Sequence, residues 1–186
     1  MLKLLGISGS LRRGSYNSAL LRAAVRLMPA DSLLEVGSIA GIPLYNGDVE
    51  AQGIPAVVAQ LKEAVVAAAG VLLVTPEYNN SIPGVFKNAI DWLSRPNTDI
   101  RRVFGAKPFA IMGASPGGYG TNLSQVAWLP VLRTLGTELW TGGRLQLSRA
   151  ATVFDAAGNL KDPGVEQQLQ QFLAGYVAFV RRAVSA

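Results

Sequence analysis

Gly6-Ile7-Ser8-Gly9-Ser10-Leu11-Arg12-Arg13-Gly14-Ser15-Tyr16-Asn17-Ser18 joins a strand pattern to a helical one through glycines, hydroxyls and two arginines. It follows an apolar run, Leu2, Leu4, Leu5 and Ile7, dense enough for a buried strand. It opens a segment in which Leu20, Leu21, Ala24, Val25 and Met28 recur at helical spacing. Glycines let backbone N–H groups approach an anion, Ser15 or Asn17 can cap the helix, and the helix N-terminus adds partial positive charge. A phosphate would satisfy all three, although an ordinary strand-to-helix turn needs only one or two of these residues. The stretch is not a P-loop, because Gly14 is followed by Ser15-Tyr16 rather than Lys-Ser or Lys-Thr. Nor is it the dinucleotide fingerprint. The second strand ends near Val36-Gly37-Ser38-Ile39 with no carboxylate for a ribose diol, so a mononucleotide suits this first crossover better.

Downstream, strand and helix alternate. Leu33, Leu34, Val36 and Ile39 make a second strand, and a polar stretch from Gly41 to Gly53 follows with Asn46-Gly47 as a turn signal. Pro55 suits a first helical position, and Val58, Leu61, Val65 and Ala68 form a buried stripe opposite Gln60, Lys62 and Glu63. Val71 to Val74 is a continuous apolar run, as a central parallel strand requires. Helicity resumes at Val85, with Lys87 and Asp91 an exposed pair one turn apart, and a polar loop from Arg95 to Lys107 leads to a fourth strand, Pro108 to Ala114. Thr121 or Asn122 caps the next helix, which Pro130 should kink. Leu139-Trp140 and Leu145 to Leu147 supply a fifth strand, and Asp162-Pro163 starts a last helix that Arg181 and Arg182 close. Five strands alternating with five helices predict an α/β, flavodoxin-like doubly wound fold in three layers. Its five-stranded parallel sheet takes the order 2-1-3-4-5, in a single domain over residues 1–186.

The 186 residues contain no Cys and no His, which excludes thiol nucleophiles, disulfides, histidine bases and the usual zinc sites; no metal is expected. An enzyme of this composition works with carboxylates, Lys or Tyr, or lets a cofactor carry the reaction. The net charge of +5 suits anionic ligands, but the arginines are scattered and no nucleic-acid motif is present, so nucleic acid is not expected. The short N-terminal apolar run is neither a secretion signal nor a membrane span, so a cytoplasmic protein without membrane association is expected.

In a sheet of this order the loops after strands one, three and four share one rim, where strand order reverses. Residues 8–18, 75–84 and 114–121 are those loops, each polar and each bearing an aromatic residue, and together they predict a ligand crevice. Pro76 and Pro83 stiffen the second loop, which suits contact with a flat heterocycle. The plainer alternatives are a core position for Tyr78 and a structural partner of a loop amide for Glu77.

Three segments, Gly9 to Asn17, Thr75 to Gly84 (Thr-Pro-Glu-Tyr-Asn-Asn-Ser-Ile-Pro-Gly) and Lys87 to Pro96 (Lys-Asn-Ala-Ile-Asp-Trp-Leu-Ser-Arg-Pro), resemble the NAD(P)H-dependent FMN reductase family, which includes quinone, azo-dye and chromate reductases. The resemblance extends over nearly the whole chain. It implies that Ser10, Arg12, Ser15, Tyr16, Asn17 and Ser18 belong to an FMN phosphate loop. It implies further that Pro76, Glu77, Tyr78 and Asn79 hold the isoalloxazine, and that Ser115, Pro116, Gly117 and Gly118 approach the flavin from the fourth strand. Asn80 and the Ser-Pro-Gly-Gly-Tyr-Gly form of the third loop depart from the common pattern, on the side where the acceptor enters.

The implied activity is reduction of FMN, quinones, azo compounds or chromate by NADPH or NADH. It runs in two ping-pong half-steps through the flavin N5, so no protein residue need act as a base. Arg101, with Arg102, is a candidate for pairing with nicotinamide phosphates, solvated charge being the alternative. A flavodoxin-type electron carrier without nicotinamide turnover is the competing reading. A phosphate-accepting receiver domain fails for want of an Asp where Thr75-Pro76 stand. Trp92, Trp128 and Trp140, with the apolar helices around them, exceed what one open sheet must hide, a well-filled core being the plainer account; the resemblance implies dimers or tetramers, so a homodimer or homotetramer is expected.

Overall fold

Leu4 to Ile7 are buried without interruption, and that places β1 (Leu2–Ser8) inside a sheet rather than at its edge. The computed structural model describes residues 1–185. Two parallel neighbours flank β1, β2 (Ser32–Gly37) with Leu4 opposite Leu34, and β3 (Gly70–Val74) with Leu4 opposite Gly70. β4 (Pro108–Ala114) continues the sheet beside β3, and both are buried at every position, as expected of strands covered on two faces.

The fifth position is filled twice. β5 (Glu138–Leu139) pairs with the start of β4, Pro108 opposite Glu138, and β6 (Gln146–Leu147) with its end, Gly113 opposite Gln146. The sheet thus has the order 2-1-3-4-5 with a sixth short strand, a flavodoxin-like arrangement with one more strand than the sequence suggests. Residues between the two pieces leave the sheet where Trp140 turns onto the last helix, packing edge-on against Phe172 at 4.9 Å.

Side chains alternate across the strands and feed two cores. Leu4, Leu72, Val74, Ala110 and Met112 pack under α1 (Tyr16–Arg26) and α8 (Pro163–Ser185). Leu5, Ile7, Val71, Leu73 and Phe109 pack under α3 (Ala56–Ala67), α4 (Gly84–Leu93) and α6 (Asn122–Thr134). Tyr176 fastens α8 to the sheet, its hydroxyl donating to the carbonyls of Val71 at 2.8 Å and Pro108 at 3.0 Å. Burial raises the Tyr176 pKa well above its ordinary value, so the phenol stays a donor. No helix among the described residues is long and apolar enough to cross a membrane.

Several local expectations are corrected. The polar stretches from Gly41 to Gly53 and from Arg95 to Lys107 are not plain loops. The first holds α2 (Gly47–Ala51), capped by Asn46 accepting from the Asp48 N–H at 2.9 Å. The second holds a 3-10 turn (Asn97–Asp99) and α5 (Ile100–Phe104), and α7 (Ala150–Val153) follows β6. These helices are too short to show a period, yet α5 buries Val103 and Phe104 completely.

Lys62 does not face solvent. It is 3% exposed, and its ammonium donates to the Arg95 carbonyl and to Asp99 at 3.0 Å. α6 runs through Pro130 to Thr134. Both Pro130 and Val126, the residue whose carbonyl loses its partner there, are exposed, so water can satisfy the freed group. Trp92 and Trp128 are fully buried in the core of one chain, while Trp140 is half-buried, so of the three tryptophans Trp140 alone keeps surface outside the core.

Candidate active site

Every strand pair is parallel, so all carboxyl ends lie along one rim, and the order reverses at β1, between β2 and β3. The first loop leaves β1 tied to its neighbour, for the Gly9 N–H donates to the Val74 carbonyl at 2.9 Å. Gly9 is required by packing: a Cβ there would stand 2.1 Å from the Phe86 ring. Ser15 caps α1, its Oγ accepting the Ser18 N–H at 3.3 Å while its carbonyl accepts from Ala19 at 2.9 Å. The Arg12 N–H donates to Ser10 Oγ at 3.3 Å, which folds the loop back on itself. Among the described residues, no protein acceptor takes the N–H groups of Leu11, Arg13, Gly14, Tyr16 or Asn17, and the Arg12 guanidinium has no acidic partner. Orphan donors gathered at a helix start are what an anionic oxygen satisfies.

The side chain of Asn17 is engaged within the protein. Its Nδ2 donates to the Ala114 carbonyl at 2.8 Å and its Oδ1 accepts the Ala114 N–H at 2.9 Å, so its buried carboxamide joins the first loop to the third. The side chain of Ser18 also turns away, sharing a hydrogen bond with Ser8 at 3.0 Å and lining a second cavity rather than the crevice.

The second loop hangs from α6. Glu77 Oε2 accepts the Ser124 N–H at 2.9 Å, so the cap of α6 comes from a carboxylate 47 residues earlier, not from the side chains of Thr121 or Asn122. Beneath it, Trp128 Nε1 donates to Thr75 Oγ1 at 3.1 Å, and the Thr75 and Ser124 hydroxyls meet at 2.9 Å. Tyr78 and Ser81 exchange backbone hydrogen bonds at 3.1 Å around Asn79 and Asn80, whose φ angles of 48° and 61° form a mirror-image turn that Asn tolerates. Both asparagines stand exposed at the tip, outside the crevice wall.

The third loop rests on the chain after β6. The Ser115 N–H donates to the Leu147 carbonyl at 2.9 Å, the Ala150 N–H to that of Ser115 at 3.0 Å, and the Arg149 N–H to that of Gly117 at 2.9 Å. Arg149 itself sits at a left-handed φ of 49°. Nothing in the linear sequence marks Arg149, or Phe154 stacked on Tyr16 at 6.0 Å, as part of the site.

The three loops enclose a crevice of about 60 Å³, with the rim open beyond it. Its walls come from Ser10, Arg12, Ser15, Tyr16 and Asn17, then Pro76, Glu77 and Tyr78, then Ala114, Ser115 and Pro116. Gly117 and Gly118 lie farther out, exposed. Arg101 is not brought to the rim, since α5 precedes the start of β4 and occupies the opposite edge of the sheet. Its neighbour Arg102 is spent on Glu63 at 2.9 Å. A larger cavity of about 180 Å³ beside Gln125 and Trp140 shares no residue with the three loops, so the donors rather than the volume mark the site.

The family described as NADPH-dependent FMN reductase matches residues 2–152 of this chain. An NAD(P)H-dependent FMN reductase of Pseudomonas aeruginosa is 45% identical over 181 residues, covering 97% of this chain and 96% of that protein. A 2-hydroxy-1,4-benzoquinone reductase of a Burkholderia species is 39% identical over 180 residues, covering 97% of each. Among solved structures, the flavoenzyme NAD(P)H:(acceptor) oxidoreductase of Paracoccus denitrificans superposes with a TM-score of 0.88 at 31% identity, over 98% of this chain and 99% of that one.

Proposed function

The chain belongs to the NADPH-dependent FMN reductase family, and from that premise we propose that its crevice holds FMN and that it reduces quinones at the expense of NAD(P)H. The observation that carries this reading is the set of partnerless N–H donors and the Arg12 guanidinium around a pocket of phosphate size, continuous with the stiff segment Pro76 to Tyr78. In this reading the first loop holds the phosphate with charge-assisted hydrogen bonds, each worth about 1.5–3 kcal/mol. The backbone of Pro76 to Tyr78, pinned through Thr75 and Glu77 to α6, orients the ring edge. Ser115 and Pro116 close the far side, and exposed Tyr78 borders the face where a planar acceptor would lie. FMN held by these residues would supply hydride chemistry at its N5, and in this reading the nicotinamide would leave before the acceptor enters.

The residues then act by orientation and by donating to developing negative charge, which accords with a chain lacking His and Cys. Azo compounds and chromate are further acceptors in this reading, and a cytoplasmic setting accords with the supply of reduced nicotinamide. Assembly as a homodimer or homotetramer is supported by the outward apolar row Leu123, Val126 and Leu129 on α6. A monomeric mass in light scattering would remove the assembly.

The test is the visible spectrum of the purified protein. A bound yellow chromophore that bleaches with NADPH in the absence of oxygen, and returns on adding a quinone, is the expected result. A colourless protein that takes up no FMN removes the proposal, and a yellow one without nicotinamide turnover leaves an electron carrier.

A further inference from the structure

A second cavity, about 380 Å³, opens on the same rim between the ends of β1 and β2 and the flank of α1, and it meets the first crevice at Ser10. Its polar lining is made of Ser8, Ser10, Ser18 and Ser38, with Arg22 of α1 at its margin. Its apolar wall includes Leu11 and Val36, left 55% and 61% exposed, an unusual condition for a strand-end valine beside a cavity. No carboxylate lines the cavity, and Arg22 has no acidic partner among the described residues. The guanidinium is backed by Gly158, where a Cβ would stand 2.8 Å from Nη2.

We propose that this cavity receives the 2′-phosphorylated adenosine end of NADPH, with Arg22 and the serine hydroxyls taking the phosphate, and that it makes the enzyme prefer NADPH over NADH. The inference rests on the NAD(P)H oxidation proposed above and names the part of the donor that the protein reads. Three physical points carry it.

Where a wound α/β sheet binds a dinucleotide in its first crossover, a carboxylate after the second strand reads the unphosphorylated ribose diol and an arginine accommodates a 2′-phosphate. The first crossover here is not of that kind, but its second strand end likewise presents no carboxylate to repel a phosphate. Here Gly37-Ser38 stand at that strand end, with Arg22 across from them. Next, the wall chemistry is divided as a nucleoside phosphate is divided: Leu11 and Val36 offer surface to a flat base, and the hydroxyls and guanidinium offer donors to an anion. Finally, adjacent strands lie about 4.8 Å apart, so from β2 past β1 and β3 to β4 is roughly 14 Å. A dinucleotide crossing the phosphate loop can therefore keep its nicotinamide over the ring loops while its adenosine sits beside β2. Arg12 lines the first crevice and Arg22 the second, and these cations offset the charge of two phosphate-bearing ligands held side by side.

The test uses the flavin-loaded protein. Initial rates of NADPH and NADH oxidation with benzoquinone give the ratio of the two kcat/KM values. Arg22→Gln is expected to lower that ratio about tenfold or more, chiefly through the KM for NADPH, while Arg22→Lys restores part of it. Ser38→Asp, which installs a carboxylate at the strand end, is expected to lower the ratio in the same direction.

Calorimetry supplies a readout independent of turnover. The wild-type protein is expected to bind 2′,5′-ADP at least about tenfold more tightly than 5′-AMP, and Arg22→Gln to abolish the difference. Equal binding of the two nucleotides by the wild type, or an unchanged preference in Arg22→Gln, overturns the proposal. Failure of the flavin to be reduced by either nucleotide overturns the oxidoreductase reading instead, and the calorimetric preference still decides whether the adenosine site exists.

Discussion

Asn17 and Ala114 are 97 positions apart in the chain and are joined by two buried hydrogen bonds, from Nδ2 to the Ala114 carbonyl at 2.8 Å and from the Ala114 N–H to Oδ1 at 2.9 Å. A carboxamide is the one side-chain group that mimics a peptide partner in this way, donating and accepting from one planar head. The bond pair carries α1 and the end of β4 as one rigid piece, so the first loop and the third loop keep a fixed separation.

Removal of that head by Asn17→Ala leaves the Ala114 N–H and carbonyl without partners in a dry place. A stability loss of about 2–4 kcal/mol is expected from urea unfolding, with weakened retention of FMN. Asn17→Asp keeps the shape but sets a carboxylate oxygen against the carbonyl, so it should recover little. Stability within error of the wild type for Asn17→Ala would show that the clamp is not needed.

Glu77 joins the second loop to the start of α6 through the Ser124 N–H. Glu77→Gln keeps an acceptor and loses the charge that favours a helix N-terminus, whereas Glu77→Ala loses both. Expected losses are about 0.5–1 kcal/mol for the first and 1–2 kcal/mol for the second. The rate of FMN release, followed by recovery of flavin fluorescence, should rise in the same order.

Lys62 lies at the far edge of the sheet and tests the opposite expectation. Lys62→Met preserves the buried stem but strips the Arg95 carbonyl and Asp99 of their donor. The midpoint of urea unfolding should fall by an amount equivalent to about 1–3 kcal/mol, with the slope unchanged. FMN affinity and the visible spectrum should stay as they are, since no rim loop touches this residue.

Acid should release the same cluster. The Lys62 hydrogen bond, and then that from Arg102, hold the Asp99 carboxyl below the ordinary 3.8, with burial opposing them. Hydrogen bonds from Arg102 to Glu63 and from Arg181 to Asp31 lower those two carboxyls as well. Folded values below unfolded ones mean that this stabilisation is present above about pH 4 and is lost as the pH falls through the folded values. Unfolding midpoints should be level from pH 7 to 5 and decline below 4. Asp99→Asn should be less stable at pH 7, and its curve should converge on the wild type towards pH 3. Parallel curves would assign the acid loss to other groups.

The strand order and the location of the rim were legible because their signals are local. A run such as Val71 to Val74 needs two covered faces wherever it is placed, and glycine- and proline-bearing loops after strands one, three and four must share an edge once the strands are parallel. Short elements were not legible. α5 has five residues, less than two turns, and the pairing of Lys62 with Asp99 in the turn before it depends on the approach of α3, which no spacing within residues 95–107 encodes.

Residue types by themselves determined that this chain winds a parallel sheet, that polar loops gather at one end of it, and that no thiol or imidazole takes part. Tertiary structure alone decided what each polar group in those loops does: the side chains of Asn17 and Glu77 are engaged by Ala114 and Ser124, while the Arg12 guanidinium and the N–H groups around it have no acceptor among the described residues. The physical reason is that a side chain's capacity to hydrogen-bond is fixed by its chemistry. Whether that capacity is already used depends on groups 47 or 97 residues away, which meet it only when the sheet closes.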